Sequence, residues 1–191
     1  IKKLLHPSDY MVRRCAALAL LPLNFKGDLL QEVLNQIDVL ESVTSDSNNL
    51  NGALLYIYYL LDYFHYSYPV LPEDMRDLHV KVFGRFLSIS QLSKVAAGFN
   101  LKLYFEIATE LLRKFDLDAT EESNSLCPAI IGLKNRAVQV LSFCDIASGF
   151  RLSQDFGVSQ ARLGALQFVH LFYHKAEDLT SFVQFGHMLM K

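Results

Sequence analysis

His170 and His174 stand four apart in a segment with helical periodicity, so one helix face carries both imidazoles and offers two ligands to a metal ion. The intervening Leu171, Phe172 and Tyr173 supply no glutamate for a zinc-hydrolase motif, and no third ligand stands at a recognisable spacing. Ordinary surface or groove histidines are the expectation. Cys144 and Asp145, with a distant histidine, contain the residue types of a nucleophile and its base. With three cysteines and six histidines in the chain, such a pairing can be written without an active site behind it. Asp116, Asp118, Glu121 and Glu122 gather four carboxylates, but the glycine, the ligand periodicity and the closing glutamate of a calcium loop are missing. A solvated acidic loop is expected there, and the chain is read as having no catalytic residue, cofactor or metal of its own.

The basic residues carry a choice with consequences. Arg13 and Arg14 either hydrogen-bond an acidic residue or carbonyl groups of a neighbouring element, with Asp9 as a local partner, or contact phosphate on a concave surface. In the second reading Lys134, Arg136, Arg151 and Arg162 join them as candidate binding residues, although the sequence does not place the six on one face.

These groups must be positioned by helices. The run Leu4-Leu5-His6-Pro7-Ser8-Asp9-Tyr10-Met11-Val12-Arg13-Arg14-Cys15-Ala16-Ala17-Leu18-Ala19-Leu20 reads as the turn and second helix of a HEAT repeat. Pro7 stops the incoming helix and Ser8 or Asp9 caps the next, while Val12, Cys15, Ala16, Ala19 and Leu20 form its inward face. A helix over residues 10–24 is followed by a break at Gly27 and a second helix with Leu30, Val33, Leu34, Ile37 and Leu40 on one side. Residues 42–51 read as a polar loop and 52–66 as a helix so apolar all round that it is buried between neighbours. Met75, Leu78, Val82, Phe83 and Phe86 face inward in the next helix, and 94–115 is the longest periodic segment, with Gly98 as an interruption. Residues 116–125 read as a loop, Pro128 as a first-turn residue, and 147–157 as a further loop. Helices over 158–174 and 179–190 complete a last pair.

The fold class is therefore all-α, a HEAT- or armadillo-like solenoid of about four to five helical hairpins. Second helices beginning near Val12 and Leu54 lie 42 residues apart, within the roughly 40–47 of such repeats. Residues 1–191 form a single solenoid segment, expected to be part of a longer array because neither end carries a polar capping repeat. The composition is 51% hydrophobic with a mean hydropathy of +0.19, so much apolar surface must meet a neighbour. A net charge of −2 provides no global field for nucleic acid. The longest apolar run, 53–61, is far short of the roughly 20 residues of a membrane span. Cys15, Cys127 and Cys144 suit buried reduced thiols of a cytoplasmic or nuclear protein.

Two stretches together suggest a narrower relationship. Val12-Arg13-Arg14-Cys15-Ala16-Ala17-Leu18-Ala19-Leu20, followed after a polar loop by Asn49-Leu50-Asn51-Gly52-Ala53-Leu54-Leu55-Tyr56-Ile57-Tyr58-Tyr59-Leu60-Leu61, resembles the thyroid adenoma-associated protein family, which includes the HEAT-repeat partner subunit of a tRNA 2'-O-methyltransferase. The resemblance covers about the first third of the chain. It departs from the family pattern at Asn51, where members usually carry histidine, and no motif matches from Pro69 onward. The resemblance implies a non-catalytic scaffold that holds an RNA 2'-O-methyltransferase and positions tRNA for ribose methylation in the anticodon loop. The catalytic residues would lie in the partner, tRNA would be met through the full-length protein, and no membrane is involved. A general HEAT adaptor for protein partners, with no RNA role, is the alternative.

Overall fold

The computed structural model describes residue 5 and residues 8–24, 28–42, 47–89, 98–114, 121–142 and 156–174. Asp9 sets the first helix: its carboxylate accepts from the Met11 and Val12 amides at 2.7 and 3.2 Å, satisfying donors that the opening turn leaves unpaired. Helix α1 (Tyr10–Leu20) then runs until Pro22, which has no amide to donate, and the chain tightens into a 3₁₀ turn at Leu21–Asn24. Asp28 repeats the capping device by accepting from the Gln31 amide at 3.2 Å, and α2 (Leu29–Ser42) follows. Its Leu30, Val33, Leu34, Ile37 and Leu40 are all buried, the stripe that their spacing predicts.

Helix α3 (Ser47–Ser67) is buried over most of its circumference, from Asn51 through Ile57 and again at Leu60, Leu61 and Phe64. A 3₁₀ turn at Glu73–Met75 leads into α4 (Arg76–Leu87), and α5 (Gly98–Arg113), α6 (Glu121–Ser142) and α7 (Phe156–His174) complete the helices among the described residues, which contain no strand.

The packing is serial. Helix α1 packs on α3, α3 on α5 and α5 on α7, while α2 packs on α4 and α4 on α6; α2–α3, α4–α5 and α6–α7 contacts join the two series. Large side chains fill the space between them. Phe86 of α4 stacks on Tyr104 of α5 at 4.6 Å between ring centres, and Phe105 meets Phe168 of α7 at 5.9 Å. Each of the three fully buried phenylalanines contributes roughly 1.5–3 kcal/mol. Ala161 and Ala165 are fully buried on α7, and a Cβ at Gly164 would stand 2.9 Å from the Lys102 carbonyl oxygen, so small residues let α7 lie directly against the α5 backbone.

Several boundaries and faces differ from the sequence reading. On α1 the buried stripe is Arg13, Ala16, Ala17 and Leu20; Val12, Cys15 and Ala19 are exposed. The helix is apolar nearly all round, so hydrophobicity leaves its rotation open, and the hydrogen bonds of Arg13 fix it. Cys15 is accordingly an exposed free thiol rather than a buried one. Helix α3 starts at Ser47, inside the segment read as a polar loop, because Ser47, Asn48 and Asn51 find partners on other elements. Helix α6 starts at Glu121, so Glu121 and Glu122 are helical rather than in a loop, and Pro128 sits inside the helix instead of in its first turn. Proline at that position withdraws one backbone hydrogen bond, a cost of about 3 kcal/mol that the packing of Ile130, Leu133, Ala137 and Leu141 must offset.

Candidate functional site

The most developed polar constellation lies across α1, α3 and α5. Arg13 is only 6% exposed, and its Nε donates to Asn51 Oδ1 at 2.9 Å. Its Nη1 donates to the Ser8 carbonyl at 2.9 Å and to Asn48 Oδ1 at 3.2 Å. Asn51 passes the connection on, its Nδ2 donating to Asn100 Oδ1 at 2.8 Å. Asn100 Nδ2 in turn donates to the carbonyl and hydroxyl oxygens of Ser47 at 3.2 Å each. A guanidinium taken out of water requires several acceptors in its own plane, and two asparagines and a carbonyl supply them here. Asp9, the local partner proposed from sequence, spends its carboxylate on the α1 cap.

The other candidate residues divide between α1 and the packed α6–α7 pair. Arg14 is exposed and donates from Nε to the Tyr59 hydroxyl at 2.8 Å, a bond that favours its charged form. Lys134 and Arg136 are half-buried on α6, and Arg162 is half-buried on α7, where desolvation lowers its basicity. Helices α1 and α7 stand at opposite ends of the α1–α3–α5–α7 series, so Arg13 and Arg14 belong to one end and Arg162 to the other. Arg151 lies outside the described residues, as do Asp116, Asp118 and the Cys144–Asp145 pair. His170 is exposed on α7, and among the described residues no three His, Cys, Asp or Glu side chains converge in metal-binding geometry.

A second polar feature crosses α3, α5 and α7, a cleft of about 220 Å³ lined by Tyr58, Glu106, Thr109, Glu110, Arg113 and Gln167. Glu106 pairs with Lys102 at 3.0 Å, and Glu110 is shared between Arg113 at 2.8 Å and His65 Nδ1 at 3.1 Å. Burial pushes the Glu110 carboxyl up, but the His65 hydrogen bond and the charges of Arg113 and Lys114 outweigh it and hold the group below the usual carboxylate range. Partial burial, with Glu106, Asp62 and Glu110 nearby, pushes the Tyr58 hydroxyl up to about 12. Groups that titrate this far from neutrality suit hydrogen bonding better than proton transfer.

His79 of α4 is 1% exposed with no hydrogen-bond partner at Nε2, and desolvation, reinforced by His65 and Lys114, lowers its pKa to about 4.

Sequence reasoning identified Arg13 but missed Asn48, Asn51 and Asn100. The available signal was an amide at each of two helix positions flanked by apolar residues, Leu50-Asn51-Gly52 and Phe99-Asn100-Leu101, where a polar side chain has to find a partner. No helix among the described residues is long and apolar enough to cross a membrane. Set against protein-family models, curated proteins and solved structures, the chain matches none of them.

Proposed function

We propose that this chain is a non-catalytic HEAT-repeat scaffold segment that supports a methyltransferase in 2'-O-ribose methylation of the tRNA anticodon loop. The observation that carries the reading is the Arg13–Asn51–Asn100 network. A polar residue near the start of each of three successive helices of one series, bonded to the next, is a device for fixing how helices stack, and two series of helices joined by cross-contacts support the solenoid reading. A rigid array of this kind accelerates a reaction by holding enzyme and substrate in one geometry, with the reactive groups supplied by the enzyme. RNA bound by such a surface is held through shape and phosphate contacts. The resemblance of residues 12–20 and 49–61 to the thyroid adenoma-associated protein family supplies the narrower part of the proposal.

The broader alternative, a scaffold for protein partners with no RNA role, draws on the net charge of −2 and on the paired carboxylates of the α3–α5–α7 cleft, which favour protein over phosphate. Affinity purification of the full-length protein from cells, with co-purifying proteins and RNA identified, separates the two. Recovery of an RNA 2'-O-methyltransferase together with tRNA is the expected result. Recovery of chromosomal, transport or coat components without either overturns the tRNA reading. Arg14→Glu is the appropriate variant for testing RNA contact, because Arg14 is exposed whereas Arg13 is committed to the interior.

A further inference from the structure

Among the described residues, the exposed large apolar side chains gather at α1. Tyr10, Met11, Val12 and Leu18 of the helix, Leu23 of the turn after it, and Phe99, whose ring centre lies 6.4 Å from that of Tyr10, make up six of the twelve. At about 100° per residue, Met11, Cys15 and Leu18 stand opposite Arg13, Ala16, Ala17 and Leu20, the buried stripe that packs on α3. Val12 and Ala19 widen this open face on one side, and Arg14 borders it on the other. Single exposed apolar side chains are ordinary, whereas a stripe of them along one helix marks an interaction surface.

Shape and charge select what covers this face. Helices α3 and α5 each pack between two other helices of their series, and α1 carries a second apolar face of the same kind, so a further helix is the element that fits it. Arg14 gives the flank of the stripe its charge. The groups that act on that charge are Tyr59, Tyr10 and Cys15, none of them a carboxylate, and its Nε donates to the neutral Tyr59 hydroxyl. Asp9 stands at the N-terminal end of α1, where its carboxylate accepts from two amides and the helix dipole offsets its charge. The flank is therefore complementary to a carboxylate. A second copy of this chain fits poorly, because two-fold antiparallel pairing of α1 about Cys15 sets Arg14 and its symmetry mate on the same flank, like charge beside like.

We propose that the Met11–Cys15–Leu18 face of α1 docks an amphipathic helix of a partner protein, its apolar stripe against these residues and a carboxylate beside Arg14. The test is titration of the full-length protein with two fluorescent synthetic helical peptides of about 16 residues. Both carry leucines at i, i+4 and i+7 spacing, one with glutamates beside the stripe and the other with lysines, and binding is read by anisotropy. Saturable binding of the glutamate peptide is expected, severalfold tighter than that of the lysine peptide at low salt, with the gap closing as salt rises. Saturating peptide should also slow maleimide labelling of Cys15, which is exposed in the free chain. Leu18→Lys is expected to weaken binding by at least about tenfold while leaving the melting temperature in place, because this side chain is exposed. Arg14→Glu should reverse the preference between the peptides, and Leu166→Lys, an equally exposed leucine on α7, should change nothing. Absence of saturation, no preference between the peptides, or binding indifferent to Leu18→Lys overturns the proposal. Sedimentation that shows a dimer abolished by Leu18→Lys assigns the face to a second copy and overturns it as well.

Discussion

Arg13 and Asn51, 38 residues apart in sequence, meet through a 2.9 Å hydrogen bond inside the α1–α3 contact, and this single bond couples the rotation of one helix to that of the other. Arg13 offers a fixed fork of donors, and Asn51 has already turned its amide nitrogen toward Asn100. The three helices are thus set by polar geometry in a region where apolar contacts would accept several arrangements.

Asn51→Ala removes an acceptor from a buried guanidinium and a donor from Asn100. A loss of about 2–4 kcal/mol is expected in denaturant unfolding. In a double-mutant cycle, Asn51→Ala and Arg13→Leu should cost markedly less together than the sum of the two, since the first change has already broken the bond that the second removes. Additive losses would show that the bond does not couple the helices.

The two faces of α1 give opposite expectations. Ala17 is fully buried, so Ala17→Asp places an unpaired charge against α3 and is expected to destabilise by several kcal/mol, on the order of 3–5. Ala19 is exposed, so Ala19→Asp should stay within about 0.5 kcal/mol. Cys15, on the exposed side, should react with a maleimide in the folded protein, read by mass spectrometry of the labelled peptide. Protection of Cys15 would mean that α1 is rotated relative to this description.

Two glycines with different surroundings make a matched pair. A Cβ at Gly52 would come within 2.8 Å of the Leu5 carbonyl carbon and closer still to its oxygen, so Gly52→Ala is expected to destabilise by about 1–3 kcal/mol. Gly132 of α6 is exposed with open space where its Cβ would point, and Gly132→Ala is expected to stabilise by about 0.5–1 kcal/mol through helix propensity. Thermal unfolding of the two variants decides the signs.

His79 predicts an acid limb. Its folded pKa of about 4 lies below the ordinary value of 6.5, so the unfolded chain takes up a proton first as the pH falls. The stability that neutral His79 contributes is fully present above pH 6.5 and is lost between pH 6.5 and about 4, amounting to about 3 kcal/mol at most. Glu110, held below its ordinary range, loses its contribution in the same direction at lower pH. His79→Phe should flatten unfolding free energy against pH over the interval between 6.5 and 4, and an unchanged slope would place the titration elsewhere.

What could be read from sequence depended on how many faces of a helix are apolar. Helix α2 has one apolar stripe and one polar side, and Leu30, Val33, Leu34, Ile37 and Leu40 are buried as their spacing requires. Helix α1 has only Arg13 and Arg14 as charged residues, so its apolar pattern fits several rotations, and the right one follows from partners 35 and 38 positions away. Ser47, Asn48 and Asn51 have the composition of a loop and become helical because their side chains are satisfied from other elements. Local propensity carries no information about such partners. Pro128 likewise points to a helix start until the burial of Ile130 through Leu141 is weighed against it.

The serial packing has a kinetic consequence. The extensive helix contacts all join elements that are adjacent or next but one along the chain, so no pairing waits for the closure of a very long loop. Folding of such a chain is fast for its size, because contact order is low, and growth can begin at any adjacent pair and spread in both directions. Amide exchange should reflect the same order, slowest in α3 and α5, each of which packs between two other helices of its series.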